Sequence, residues 1–191
     1  MNAFRDLGNL LLQLLPTSRF FGAKRLILTL MGVEVESGAS VNGRTWFYGP
    51  GRIRIGRNTW IGPGCRFYTS QGTTIDIGAN CDVAPEVSFV TGTHAIGTHE
   101  RRAGSGRAAG ISVGDGCWLG MRVTVLGGVQ IGPGTVVGAC TLVRTELPAD
   151  CVAVGVPAIP RKWLAGADGA PPPARTANSP GRASPGSPGS P

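Results

Sequence analysis

From Val113 onward one aliphatic side chain recurs at every sixth position: Val113, Leu119, Val125, Ile131, Val137 and Val143. Four residues after each of the first five comes a small or β-branched side chain, at Cys117, Val123, Val129, Thr135 and Thr141. Glycine directly follows the aliphatic at Gly114, Gly120, Gly132 and Gly138, where a tight corner is expected to need an unrestricted backbone. The same template returns at Ile55, Ile61 and Phe67, at Ile77, Val83 and Phe89, and in degenerate form at Val35, Val41 and Phe47. Its register slips by two residues before Ile55 and by four before Ile77. Between Ala95 and Ser112 it fails, because the sixfold positions fall on Ala95, Arg101 and Arg107, and this predicts an extruded loop over 95–112.

A six-residue period fits neither a helix, with its period of 3.6, nor an ordinary strand with its alternation of two. It predicts a three-faced prism in which about 18 residues make one coil, each coil stacking on the next at about 4.8 Å through parallel pairing. Such a solenoid buries a continuous core and leaves its ends open. Upstream of Val33 the chain reads as helical with an apolar stripe, Leu7, Leu11, Leu14 and Leu15, followed after Pro16 by Leu26, Ile27 and Leu30. This segment, residues 1–32, is expected to cap the first coil. The alternative is a membrane-surface helix making peripheral contact with lipid, helped by Arg19, Lys24 and Arg25. The expected organisation is then a helical cap over 1–32, a β-helix over 33–164 and a Pro/Gly/Ser-rich tail over 165–191 that lacks core-building side chains and should be disordered.

A length of 191 residues suits one compact domain with an appendage. The net charge of +7, from 16 Arg and 2 Lys against 11 acids, favours phosphate-bearing partners. No Lys/Arg run or aromatic-interleaved basic strip appears, so nucleic acid is not an expected partner. Five cysteines with no C-x-x-C pair argue against a disulfide framework or zinc ribbon, and point to a reducing cytoplasm. Cys65, Cys81 and Cys117 hold the fifth place of a hexad and read as buried spacers, not nucleophiles. The apolar stretch Leu7–Leu15 is interrupted by Asn9 and Gln13 and closed by Pro16, too short for a membrane span and without the marks of a signal peptide.

The in-register hexads, the long loop and the "GVPA" segment at 155–158 together resemble the hexapeptide-repeat acyltransferases, most nearly the group of maltose, galactoside and nodulation-factor O-acetyltransferases. The likeness covers residues 33–163. It implies an all-β, left-handed parallel β-helix, a homotrimer, acetyl-CoA as co-substrate and no metal. In that family the catalytic histidine ends a hexad just before the extruded loop, and "FVTGTH" places His94 there. A neutral imidazole can take a proton from an acceptor hydroxyl, and the resemblance implies the backbone N–H of Met121 as donor to the resulting oxyanion. It further implies a cofactor track along Trp118, Gly120, Met121 and Ala139, with phosphate contacts from Arg144, Thr145, Arg161 or Lys162. Arg66 stands where the galactoside enzymes carry a sugar-binding Asn, and suits either an anionic sugar or an ion pair between subunits. His99 and Glu100 resemble a second His-Glu pair, with acceptor contact or plain solvation as the two readings.

The implied function is O-acetylation of a sugar or polysaccharide intermediate of an envelope polymer. The short apolar N-terminal segment resembles that of envelope-polysaccharide acetyltransferases. A free sugar or a xenobiotic such as an antibiotic is the alternative acceptor, and a non-catalytic solenoid the alternative class. His94 and His99 also match the H-x4-H spacing of the β-helical zinc carbonic anhydrases, but that site needs three histidines and this chain has two.

Overall fold

The computed structural model describes residues 3–165. The tail expected to be disordered lies, from residue 166 on, outside the described residues. Two helices, α1 (Ala3–Leu14) and α2 (Phe21–Leu30), precede a prism of three parallel sheets. The first face stacks Val33–Val35, Arg52–Ile55, Thr74–Ile77, Ile111–Val113 and Gln130–Ile131. The second stacks Ser40–Val41, Trp60–Ile61, Asp82–Val83, Trp118–Leu119, Val136–Val137 and Cys151–Val154, on which Ile159–Trp163 folds back antiparallel. The third stacks Trp46–Tyr48, Arg66–Tyr68, Ser88–Val90, Thr124–Leu126 and Leu142–Val143.

All six aliphatics of the unbroken run are buried, as are the five residues four places after them. Phe47, Phe67 and Phe89 form an inward ladder, their rings stacked at 4.9 and 5.0 Å, the spacing that parallel pairing imposes. The corner glycines have a different origin from the one expected. A Cβ on Gly120 would come within 2.6 Å of Ala139 N, and one on Gly114 within 2.6 Å of Pro133 N, so it is the close approach of the next coil that selects glycine. The left-handed backbone falls two residues later, at Gly116, Arg122, Gly134 and Cys140.

The excursion expected over 95–112 is shifted and ordered. It is an antiparallel hairpin, Gly92–Ile96 paired with Ala103–Ala108, closed at its root by Ala109 N–H donating to Thr91 O at 3.0 Å. Ile111 and Ser112 belong to the coil, in register with Ile75 and Asp76. The reason is that first-face strands carry a second inward aliphatic two residues before the hexad position, as in Ile53/Ile55, Ile75/Ile77 and Ile111/Val113. The coil therefore resumes earlier than the sixfold rule locates it.

The cap also turns the other way from expectation. Leu7, Leu11, Leu14, Leu26 and Leu30 are exposed, while α1 buries Arg5, Asn9 and Leu12 and α2 buries Lys24 and Leu28. The first coil leaves a row of backbone groups without a preceding strand, and such groups must find partners. Asn9 supplies them as a strand would: its Nδ2 donates to Phe47 O at 2.8 Å and its Oδ1 accepts from Phe47 N–H at 2.9 Å. The Arg5 guanidinium donates to the carbonyls of Gly49, Gly51 and Met31. Lys24 Nζ donates to Thr17 O at 2.6 Å, which removes this cation from the surface. The inward side of α1 is polar because it covers polar backbone.

Replacing Asn9 by Ala strips Phe47 of both side-chain partners, and two buried backbone groups left unpaired should destabilise the protein by about 2–4 kcal/mol. Denaturant unfolding at fixed protein concentration measures it; a change below about 0.5 kcal/mol would show that the cap does not seal this edge.

Candidate active site

His94 sits on the first strand of the hairpin, opposite Gly106, and is exposed. Its Nδ1 lies 3.0 Å from the carbonyl oxygen of Gly104. A carbonyl only accepts, so this bond requires the proton on Nδ1, and in the neutral ring it leaves Nε2 as the acceptor. The hairpin thus fixes the tautomer that a proton acceptor needs. Ser70, Gln71, Thr93 and Arg107 line the surface cleft beside the ring. Gly92 lines the same cleft and approaches Ser70 closely: a Cβ there would come within 2.8 Å of Ser70 Oγ.

Buried threonines tie the root of the hairpin to the coil before it. Thr91 Oγ1 accepts from Ser70 N–H at 2.9 Å and pairs with Thr73 Oγ1 at 3.1 Å, while Thr73 Oγ1 donates to Ser70 O at 2.7 Å. Ser70, Gln71, Arg107 and the Gly104 carbonyl were not among the residues singled out from sequence. One signal did mark two of them, since Ser70 and Gln71 lie in the four-residue slip before Ile77.

A second cluster lies at another corner of the prism. Trp118 projects from the second face, paired in register with Asp82 and Val136, and borders a shallow groove with Trp60 and Pro85. Gly120 and Met121 turn the corner from the second to the third face, and Ala139 stacks directly on them: Cys140 N–H donates to Met121 O at 2.8 Å. His94, in contrast, leaves from the corner between the third and first faces. One chain therefore brings Trp118, Gly120, Met121 and Ala139 together and keeps them a face-width from His94.

The remaining sequence candidates are dispersed. Arg144 and Thr145 are exposed just after the last third-face strand, and Arg161 and Lys162 are exposed on the antiparallel strand. Arg66 stands exposed on the third face between Trp46 and Ser88, and borders a groove with Arg44 and Tyr68. No salt-bridge partner for it lies among the described residues. His99 and Glu100 occupy the hairpin tip, where a hydrogen bond from Thr98, then one from its own backbone, holds the Glu100 carboxyl below the usual range. The cysteines assigned as spacers are buried, and burial pushes the Cys65 thiol up to about 12. Among the described residues no three His, Cys, Asp or Glu side chains group as metal ligands. No described helix is long and apolar enough to cross a membrane.

The outer surfaces of the three faces differ. On the first, Arg54 bridges Glu36 at 2.6 Å and Asp76 at 3.2 Å in a charged row. The second and third present partly exposed aromatics: Trp60 and Trp118 on one, Trp46 and Tyr48 on the other.

Residues 110–145 match the model of the bacterial transferase hexapeptide family (six repeats). An Escherichia coli K12 protein named "Putative colanic acid biosynthesis acetyltransferase WcaF" is 32% identical over 136 residues, covering 71% of this chain and 72% of that protein. The chain spans about half the length of the first curated relatives it matches, acetyltransferase-named proteins of Staphylococcus aureus that are 37% identical over 105 residues and covered to 52%. Among solved structures, a galactoside acetyltransferase in complex with coenzyme A superposes with a TM-score of 0.71 at 25% identity, over 85% of this chain and 81% of that one. A hexapeptide-repeat acetyltransferase of Vibrio cholerae complexed with acetyl coenzyme A gives 0.67 at 26%, over 85% and 87%. These likenesses make the β-helix left-handed, an exception to the right-handed rule for parallel crossovers.

The tautomer assignment is open to measurement. In protein labelled with nitrogen-15 at histidine and held above the imidazole range, His94 should show a protonated Nδ1 and an unprotonated Nε2. The reverse pattern would mean that Gly104 does not orient the ring.

Proposed function

The chain belongs to the hexapeptide-repeat acyltransferase family, and on that premise we propose that it moves an acetyl group from acetyl-CoA to a hydroxyl of a sugar or polysaccharide intermediate, with His94 as general base. The observation that carries this reading is the Nδ1 contact of His94 with the Gly104 carbonyl, which leaves Nε2 free to accept a proton beside an open cleft. The acceptor hydroxyl attacks the thioester carbonyl as its proton passes to Nε2. The backbone N–H of Met121 stabilises the tetrahedral oxyanion. Collapse breaks the carbon–sulfur bond, and the proton on Nε2 passes to the departing thiolate, giving the acetyl ester and free coenzyme A. No acyl-enzyme is needed.

Because His94 and the Met121 corner are a face apart in one chain, the complete site is shared between copies. A ring of three, closed by a heterologous contact between different faces of neighbouring prisms, would bring the hairpin corner of one subunit against the Met121 corner of the next. In such a trimer the corner of Trp118, Gly120, Met121 and Ala139 holds the pantetheine arm, while Arg144, Thr145, Arg161 or Lys162 meet the phosphates. The five free thiols suit a reducing, cytoplasmic compartment. On the acceptor side Arg66 and Arg107 favour an anionic sugar, since a guanidinium pairs with a carboxylate through two parallel hydrogen bonds. His99 and Glu100, at the hairpin tip, are assigned at most a peripheral acceptor contact.

His94→Ala opens no core cavity, so melting temperature and acetyl-CoA affinity should stay near wild type while acetyl transfer falls by about 10² to 10⁴. His99→Ala is the control and should change turnover only modestly. Release of free coenzyme A with a panel of neutral and uronic-acid saccharides reads both variants. A folded His94→Ala protein with near wild-type turnover would sink the mechanism.

A further inference from the structure

We propose that the outer side of the helical cap is a docking face for an anionic lipid surface. The cap seals the first coil with Arg5, Asn9 and Leu12, and that duty leaves the opposite side of α1 unused. That side is nonetheless apolar: Phe4 is 73% exposed, Leu7 58%, Leu10 60%, Leu11 41% and Leu14 76%. These positions share one helical stripe, and α1 spans about 18 Å at 1.5 Å per residue. Leu26 and Leu30 on α2, with Phe20 in the connection, are exposed as well. So large a set of apolar side chains in water, all within one 28-residue segment of a folded chain, signals a surface that is covered in use.

Charge selects the occupant. Residues 3–57, the cap and the first coils, carry eight basic and three acidic side chains; with Arg5 and Lys24 turned inward onto backbone carbonyls, six basic against three acidic remain for the surface. The end of the solenoid that bears the exposed leucines therefore keeps an excess of positive charge. A second copy docked cap to cap would bring two such ends together, and like charge opposes that contact. A membrane with anionic headgroups satisfies both features: leucine and phenylalanine enter the acyl boundary and arginine, including exposed Arg19, meets phosphate.

A three-fold ring, if the assembly proposed above holds, points all three caps the same way, so weak single contacts add. Docking itself does not depend on that reading or on the chemistry. It would hold the acceptor cleft near saccharides that are carried on lipid.

The test is co-sedimentation of the full-length protein with vesicles of phosphatidylcholine alone or with about 30% phosphatidylglycerol, with particle size followed by light scattering before lipid is added. Wild type should bind the anionic vesicles and be partly released by salt. A Leu7→Gln/Leu11→Gln/Leu14→Gln variant should bind about tenfold more weakly or worse, with unchanged melting temperature and particle size, since these side chains lie outside the core. Failure of wild type to bind either vesicle would overturn the proposal. So would a change in particle size in the variant, which would assign the stripe to contact between copies. Acetyl transfer to a soluble saccharide, measured in the same variant, reports separately on the catalytic reading.

Discussion

Parallel pairing of each hexad with its counterpart one coil later is the constraint on which everything else rests. It stacks like on like at one fixed spacing, so each position becomes a ladder and must be filled by a side chain that tolerates its own kind. Phenylalanine satisfies this by ring stacking, as in Phe47, Phe67 and Phe89. At one corner Thr59, Cys81, Cys117 and Thr135 each donate to a carbonyl of the coil beyond, at 2.7, 3.2, 3.2 and 2.7 Å. The buried thiols thus do the work of a threonine hydroxyl, which accounts for the interchange of Cys and Thr there. Glycine after each aliphatic answers the same constraint, because the next coil leaves no space for a Cβ.

A perfect repeat makes a wall, and wherever this one departs from repetition something new is built. The departures are the cap, the extra residues around Ser70 and the hairpin. The last two meet: Thr91 and Thr73 join the insertion to the hairpin root, and His94 emerges above them. The site is thus assembled from breaks in register, held by a scaffold whose rigidity comes from its regularity.

The periodicity made the prism and its inward ladders legible, because one aliphatic every six residues has no other compact solution; His94, expected to end a hexad on the prism wall, stands instead within the hairpin on Gly92–Ile96. The hairpin boundaries were less so, since Ile111 obeys the two-residue alternation within a strand and breaks the sixfold rule. The cap misled most. Leu7, Leu11 and Leu14 form a faultless apolar stripe, and patterning alone directs such a stripe to the core. Here the surface to be covered is an open strand edge, so Arg5 and Asn9 turn inward and the leucines turn out. Nothing in the hexads distinguishes Arg107 or the Gly104 carbonyl, whose place beside His94 depends on the pairing of the two hairpin strands.

The central claim is that His94 of one copy works against the Met121 and Ala139 corner of the next. Complementation tests it most directly. One variant, His94→Ala, lacks the base; a second, Ala139→Trp, fills the exposed corner; each is assayed alone and after co-expression in equal amounts. If the site is shared, two inactive parents should yield mixed trimers with about one quarter of wild-type acetyl transfer, the share of sites in which an intact histidine faces an intact corner. Mixed assemblies that form yet stay as inactive as their parents would place the whole site within a single chain and contradict the account.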